Sequence, residues 1–147
     1  PQWAVTGDTF PLGCKFQPSI VYPEFLDDNP DSKIPAYQDE LGIYTRHCGL
    51  DEVTLSWGHD EYMYLVARDY LPDPALYMIR YHSFYPGHSG DGYAYLFNEH
   101  DNDMFNWVRL FNRCDLYTKH DRSPDVTALK PFYQDLILRY FPREIAW

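Results

Sequence analysis

The chain has 147 residues, 22 of them acidic and 12 basic, for a formal charge of −10. So acidic a surface repels both a nucleic-acid backbone and an anionic membrane face, which sets DNA, RNA and membrane surfaces aside as partners. No run of about 18 apolar residues exists to span a bilayer, and the length suits one domain with a substantial core.

Pro1 opens the chain with neither a Met nor an apolar leader, so the sequence reads as a processed, cleaved or partly represented chain. Cys14, Cys48 and Cys114 are odd in number and lack zinc-motif spacing. They suit a reduced, cytoplasmic setting, each thiol acting as a small buried apolar residue. The 14 Tyr, 9 Phe, 4 Trp and 12 Pro imply a packed globular chain with long loops.

Residues 1–50 are rich in Pro, Gly, Asp and Asn, with turn markers at Thr6-Gly7-Asp8, Asp28-Asn29-Pro30-Asp31 and Cys48-Gly49. They predict loops, an extended piece or two and one short helix around Pro35 to Leu41. In the loop Val5–Gly13, Gly7 lets a backbone N–H approach a ligand closely, and Asp8 can accept hydrogen bonds from hydroxyls. Patterning alone favours a plain Gly-Asp turn there.

Residues 51–147 read as helices. The first is predicted to start at a capping Asp51 and to carry Leu55, His59, Tyr62, Met63 and Val66 on one stripe. The second begins about Pro74, with Ala75, Met78, Ile79 and His82 on one face, and stops at Pro86-Gly87. The third runs from about Tyr93 to Thr118, with a possible break near Asp101. Met104, Trp107, Val108 and Phe111 form its stripe, and Asp115 continues that stripe one turn on. Lys119 follows four residues later. The last helix, about Asp125 to Tyr140, has Val126, Leu129, Tyr133, Leu136, Ile137 and Tyr140 on one face and reads as scaffold.

His59, His82 and Asp115 are thus polar residues on faces expected to be buried. A single His on such a stripe is ordinarily a satisfied core residue, and Asp115 has a ready salt-bridge partner in Lys119. Together they are harder to dismiss, because a buried carboxylate needs a cation or a pair. Nitrogen and carboxylate donors without thiolate favour iron or manganese over structural zinc. His47, His88, His100 and His120 lie in turns or among polar residues and are expected to be exposed. Neither a phosphate loop, a nucleophile motif nor a dinucleotide fingerprint is present.

Long segments of the chain resemble the myo-inositol oxygenase family. They are Pro1-Gln2-Trp3-Ala4-Val5, Gly7-Asp8-Thr9-Phe10-Pro11, Cys48-Gly49-Leu50, Ser56-Trp57-Gly58-His59-Asp60-Glu61-Tyr62, Ile79-Arg80-Tyr81-His82-Ser83-Phe84-Tyr85-Pro86, Asp115-Leu116-Tyr117-Thr118-Lys119 and Pro131-Phe132-Tyr133. The resemblance implies an all-α, HD-domain-like fold, of which residues 1–147 form the C-terminal portion, loop-rich over 1–50 and helical over 51–147. It implies two iron ions, mixed-valent Fe(II)/Fe(III), with dioxygen as cosubstrate and ring cleavage of myo-inositol to D-glucuronate. It assigns His59, His82 and Asp115 as metal ligands, and Gly7, Asp8, His82, Ser83 and Lys119 as substrate contacts. Lys119 also takes a catalytic role, holding an alkoxide. The other ligands would come from a segment upstream of Pro1, so the chain alone is expected to be inactive. A monomer acting on a neutral polyol follows. The alternatives are an HD-type phosphohydrolase, which would need cations such as Arg80 or Lys119 near the metals, and a metal-free helical binding module.

Overall fold

The computed structural model describes residues 7–89, 92–115 and 123–145. Among these, regular structure is entirely helical, and the only extended pairing is an isolated antiparallel bridge between Pro11 and Leu55. Five α-helices follow a loop-rich first third: α1 His59–Ala67, α2 Asp73–Tyr81, α3 Tyr85–His88, α4 Glu99–Asp115 and α5 Val126–Tyr140. The all-α expectation therefore holds.

The first third has more order than its composition suggests. Three short 3-10 turns, Pro23–Leu26, Pro30–Lys33 and Pro35–Tyr37, each open on a proline, whose fixed φ suits a first helical position. The Tyr44 hydroxyl donates to the Leu12 carbonyl at 2.6 Å, and the Gln17 N–H donates to the buried Tyr93 hydroxyl at 3.0 Å. Gly42 (φ +58°) packs directly on Gly13 and Cys14, an approach no side chain would allow. A cavity of about 430 Å³ opens among Phe16, Pro23, Leu26 and Tyr37. It includes none of the candidate metal-binding or substrate-binding residues named above.

The first predicted helix begins late. Leu50–Glu52 is a 3-10 turn, and Val53 is buried with an extended backbone. The following residues lie alongside Phe10–Leu12, through Leu12 N–H to the Thr54 carbonyl and Ser56 N–H to the Phe10 carbonyl. Pairing with a distant segment thus overrides the capping signal at Asp51. His59 becomes the first residue of α1 rather than a mid-helix one.

Helix α2 packs between α1 and α4. Because it is covered on two sides, its buried residues are Leu76, Tyr77 and Tyr81, a face rotated from the predicted one. His82 lies at the edge of that face and is half-buried. On α4 the buried residues are Asp101, Phe105 and Val108, whereas Trp107 and Phe111 are exposed. Phe84, Phe97 and Phe105 form an aromatic centre with Tyr81 and Tyr93, including a 4.5 Å contact between the Phe97 and Phe105 rings.

Helix α5 starts as predicted: the Asp125 carboxylate accepts the Ala128 N–H at 3.0 Å. Its packing differs from the expectation. It has no buried residue, and Phe132 and Ile137 are 59% and 56% exposed. A 3.6-residue pattern defines a face but says nothing of what covers it. Cys14 is buried, Cys48 half-buried and Cys114 exposed, so the expected burial holds fully only at Cys14.

Candidate metal centre

The structure brings His59 and His82 together. His59 opens α1 after the extended Gly58, and His82 caps the end of α2. Their Nε2 atoms are 2.9 Å apart, with the rings nearly edge-on at 76°. Helix-to-helix geometry is secured by Arg80, which forks onto Glu61 of α1 at 2.7 and 3.2 Å and reaches Asp51 at 2.6 Å. The guanidinium also lies over the Tyr64 ring at 4.2 Å.

Hydrogen bonds around His82 define its tautomer. Its Nδ1–H donates to the Ile79 carbonyl at 2.8 Å, which leaves the Nε2 lone pair facing His59. Without a cation, the His59 Nε2–H donates into that lone pair. With one, both lone pairs would point at it: two nitrogens each about 2.1 Å from a cation and at right angles to one another sit about 3.0 Å apart. Two nitrogen donors at that spacing are compatible with sharing a transition-metal cation.

His88 was expected to be exposed; it is buried. Its Nε2–H donates to the His82 carbonyl at 2.9 Å, while the Ser89 hydroxyl donates to Nδ1 at 2.9 Å. Burial pushes its pKa below the usual histidine value. The Gly-rich stretch after it reads as loop, but Tyr85–His88 adds a helical turn that folds His88 back under His82.

Two expectations about burial are corrected. His59 is exposed and Asp115 only half-buried, so the candidate donors lie on an open face and not in the core. Among the described residues, no three His, Cys, Asp or Glu side chains converge closely enough to hold a metal ion. Asp115 ends α4 on the side of His82: Phe111, one turn earlier, meets the His82 ring edge-on at 6.1 Å. The Asp115 charge also adds to burial in raising the Tyr85 phenol pKa. Lys119 lies outside the described residues.

The Gly7–Asp8 segment reaches the same region. Gly7 has φ +126° with open space around it. The Thr9 N–H donates to the Ser83 carbonyl at 2.8 Å, and the Thr9 hydroxyl donates to the Asp60 carboxylate at 2.5 Å. The Ser83 hydroxyl stands 3.5 Å from His59 Nε2. One Asp8 oxygen accepts the Val21 N–H at 2.7 Å, and the other is buried without a partner among the described residues. Burial pushes the Asp8 pKa up to about 6, against the lowering effect of the Val21 and Tyr85 N–H groups. Thr9 N–H to the Ser83 carbonyl ties this loop to the residue after His82, and a buried Asp8 oxygen without a well-formed hydrogen bond is suited to receiving a hydroxyl donor. Thr9 and Asp60 carried little sequence signal.

The model of the family described as myo-inositol oxygenase matches residues 1–147. Over the whole chain the sequence is 54% identical to inositol oxygenases from Dictyostelium discoideum, Danio rerio and Homo sapiens, covering 51%, 54% and 53% of those proteins. The chain thus spans about half the length of the curated relatives it matches. The family match over residues 1–147 and the 54% identity over the full length of the chain agree: the chain belongs to the myo-inositol oxygenase family.

Proposed function

We propose that this chain provides one side of the active site of an oxygenase that opens the ring of myo-inositol with dioxygen, one oxygen atom entering D-glucuronate and the other leaving as water. The His59–His82 pair, 2.9 Å apart with His82 turned by the Ile79 carbonyl, carries the reading. Iron bound there would lower the pKa of a coordinated hydroxyl and exchange electrons with dioxygen. His59 and His82 hold it, with Asp115 as a third donor and the remaining donors supplied by a part of the full-length protein outside these residues. Asp8 accepts a hydroxyl of the polyol, Gly7 brings its backbone N–H close, Ser83 orients a second hydroxyl and Lys119 holds the proton-poor oxygen. Two irons per full-length chain, an HD-type helical frame of which residues 1–147 are the C-terminal portion, and a monomer in the cytoplasm complete the proposal. The phosphohydrolase alternative is weakened because Arg80 is already occupied by Glu61 and Asp51.

The test is iron per chain after anaerobic loading with ferrous iron, on full-length protein of verified mass, followed by D-glucuronate release in air. Close to two irons are expected, and His82→Ala should remove most of one. Unchanged iron in a His59→Ala/His82→Ala double variant would sink the ligand assignment. No D-glucuronate from fully loaded protein would sink the reaction.

A further inference from the structure

Asp8 stands in a loop without regular structure, yet the proposed function requires it to hold a set position against two imidazoles. We infer that Thr9 is the residue that sets this position, through a two-point clamp on the residues that directly follow the imidazoles. This inference rests on the reading of Asp8 as a polyol contact.

The Thr9 N–H bonds to the carbonyl of Ser83, the neighbour of His82. Its hydroxyl bonds to the carboxylate of Asp60, the neighbour of His59. Thr9 and both its partners are buried, with Thr9 4%, Asp60 1% and Ser83 3% exposed. The other Asp60 oxygen is capped by the Glu61 N–H at 2.9 Å. No cation in the described residues pairs with Asp60, so the Thr9 hydroxyl is the one side-chain donor on it there. A single residue therefore ties the Gly7–Asp8 loop to α1 and to the end of α2 at once. The backbone bond alone would let the loop pivot about Ser83, and the hydroxyl bond removes that freedom. Thr9 is buried with its N–H and its hydroxyl both engaged by protein groups, so its role is one of positioning.

Thr9→Val keeps the shape and the N–H but deletes the hydroxyl, and Thr9→Ser keeps the hydroxyl. The experiment uses the full-length protein, loaded with ferrous iron in the absence of dioxygen. Equilibrium dialysis with myo-inositol is read together with iron per chain and amide exchange over residues 7–10. Thr9→Val is expected to weaken myo-inositol binding about tenfold, in line with the sensitivity of positioned sites to small displacements, with iron per chain unchanged and exchange accelerated. Thr9→Ser is expected to restore all three readings. Asp8→Ala separates the layers. If it weakens binding while Thr9→Val does not, the clamp is overturned and the reading of Asp8 stands. If Asp8→Ala leaves binding unchanged, both fall. Equal losses in Thr9→Val and Thr9→Ser also overturn the clamp. Should Thr9→Val fail to fold, Asp60→Asn weakens the same bond while retaining an acceptor oxygen. A smaller loss of myo-inositol binding is then expected, and no loss overturns the inference.

Discussion

Replacing Asp101 tests how α4 is held against the imidazole-bearing helix. Asp101 is 1% exposed. One of its carboxylate oxygens accepts the Leu50 N–H at 3.0 Å and the Asn98 N–H at 2.9 Å, and the other accepts the Tyr77 hydroxyl at 2.8 Å. Asn98 returns a bond by accepting the Asp101 N–H at 2.9 Å, a reciprocal cap at the start of α4. Burial, and then the Asp101 carboxylate itself, raise the Tyr77 pKa, so the phenol remains a neutral donor. In Asp101→Ala three donors lose a charged acceptor, at about 1.5 kcal/mol each on the low side, so unfolding should become easier by about 4.5 kcal/mol. Asp101→Asn retains an oxygen for the backbone donors and should lose about 2 kcal/mol. Tyr77→Phe should lose about 1.5 kcal/mol in the native background and under about 0.5 kcal/mol once Asp101 is Ala. The assay is urea denaturation at neutral pH, comparing midpoints at constant slope. A loss below about 1.5 kcal/mol for Asp101→Ala, or full additivity with Tyr77→Phe, would refute the argument that this carboxylate links three segments.

Arg80→Lys cannot reproduce the fork onto Glu61 and should destabilise the protein by about 2 kcal/mol in the same assay through a looser α1–α2 contact. Gly42→Ala would drive a Cβ into the Gly13 carbonyl oxygen and to 2.5 Å from Cys14 Cα, a loss of about 3 kcal/mol or more. Gly7→Ala meets open space and should show only the conformational cost of its positive φ, about 1–2 kcal/mol, so thermal melts should rank the two variants in that order. Asp8 binds its proton more tightly when folded. Its contribution is therefore fully present below about pH 4 and lost as pH rises through about 6, by about 1 kcal/mol after allowing for solvent screening. His88, whose pKa burial depresses, acts in the opposite sense and loses its contribution as pH falls below the ordinary histidine value of 6.5. Denaturation midpoints between pH 4 and 8 for native protein and Asp8→Asn should differ mainly in the acid-side slope; identical curves would contradict the buried Asp8 carboxylate.

Local chemistry made α2 and α5 readable. Pro74 stands near the start of one, Asp125 caps the other, and the apolar spacing between them is helical. The same periodicity selected His59 and His82, which the fold brings within 2.9 Å of each other. It could not supply the clamp from Thr9 to Asp60 or the bonds from Asp101 to Leu50, because each joins residues 51 positions apart. Nor could it foresee that α1 begins only at His59, since the bridge between Pro11 and Leu55 draws the preceding residues into an extended path. His88 reads as a loop residue until one helical turn folds it beneath His82. Spacing along a chain records which residues share a face, because that depends on neighbours three and four positions away. Whether the face is covered, and by what, depends on segments brought together only by the whole fold. That is why the imidazole pair was legible in the sequence, while its open setting, its tautomer and the residues that hold it in place were decided by tertiary structure.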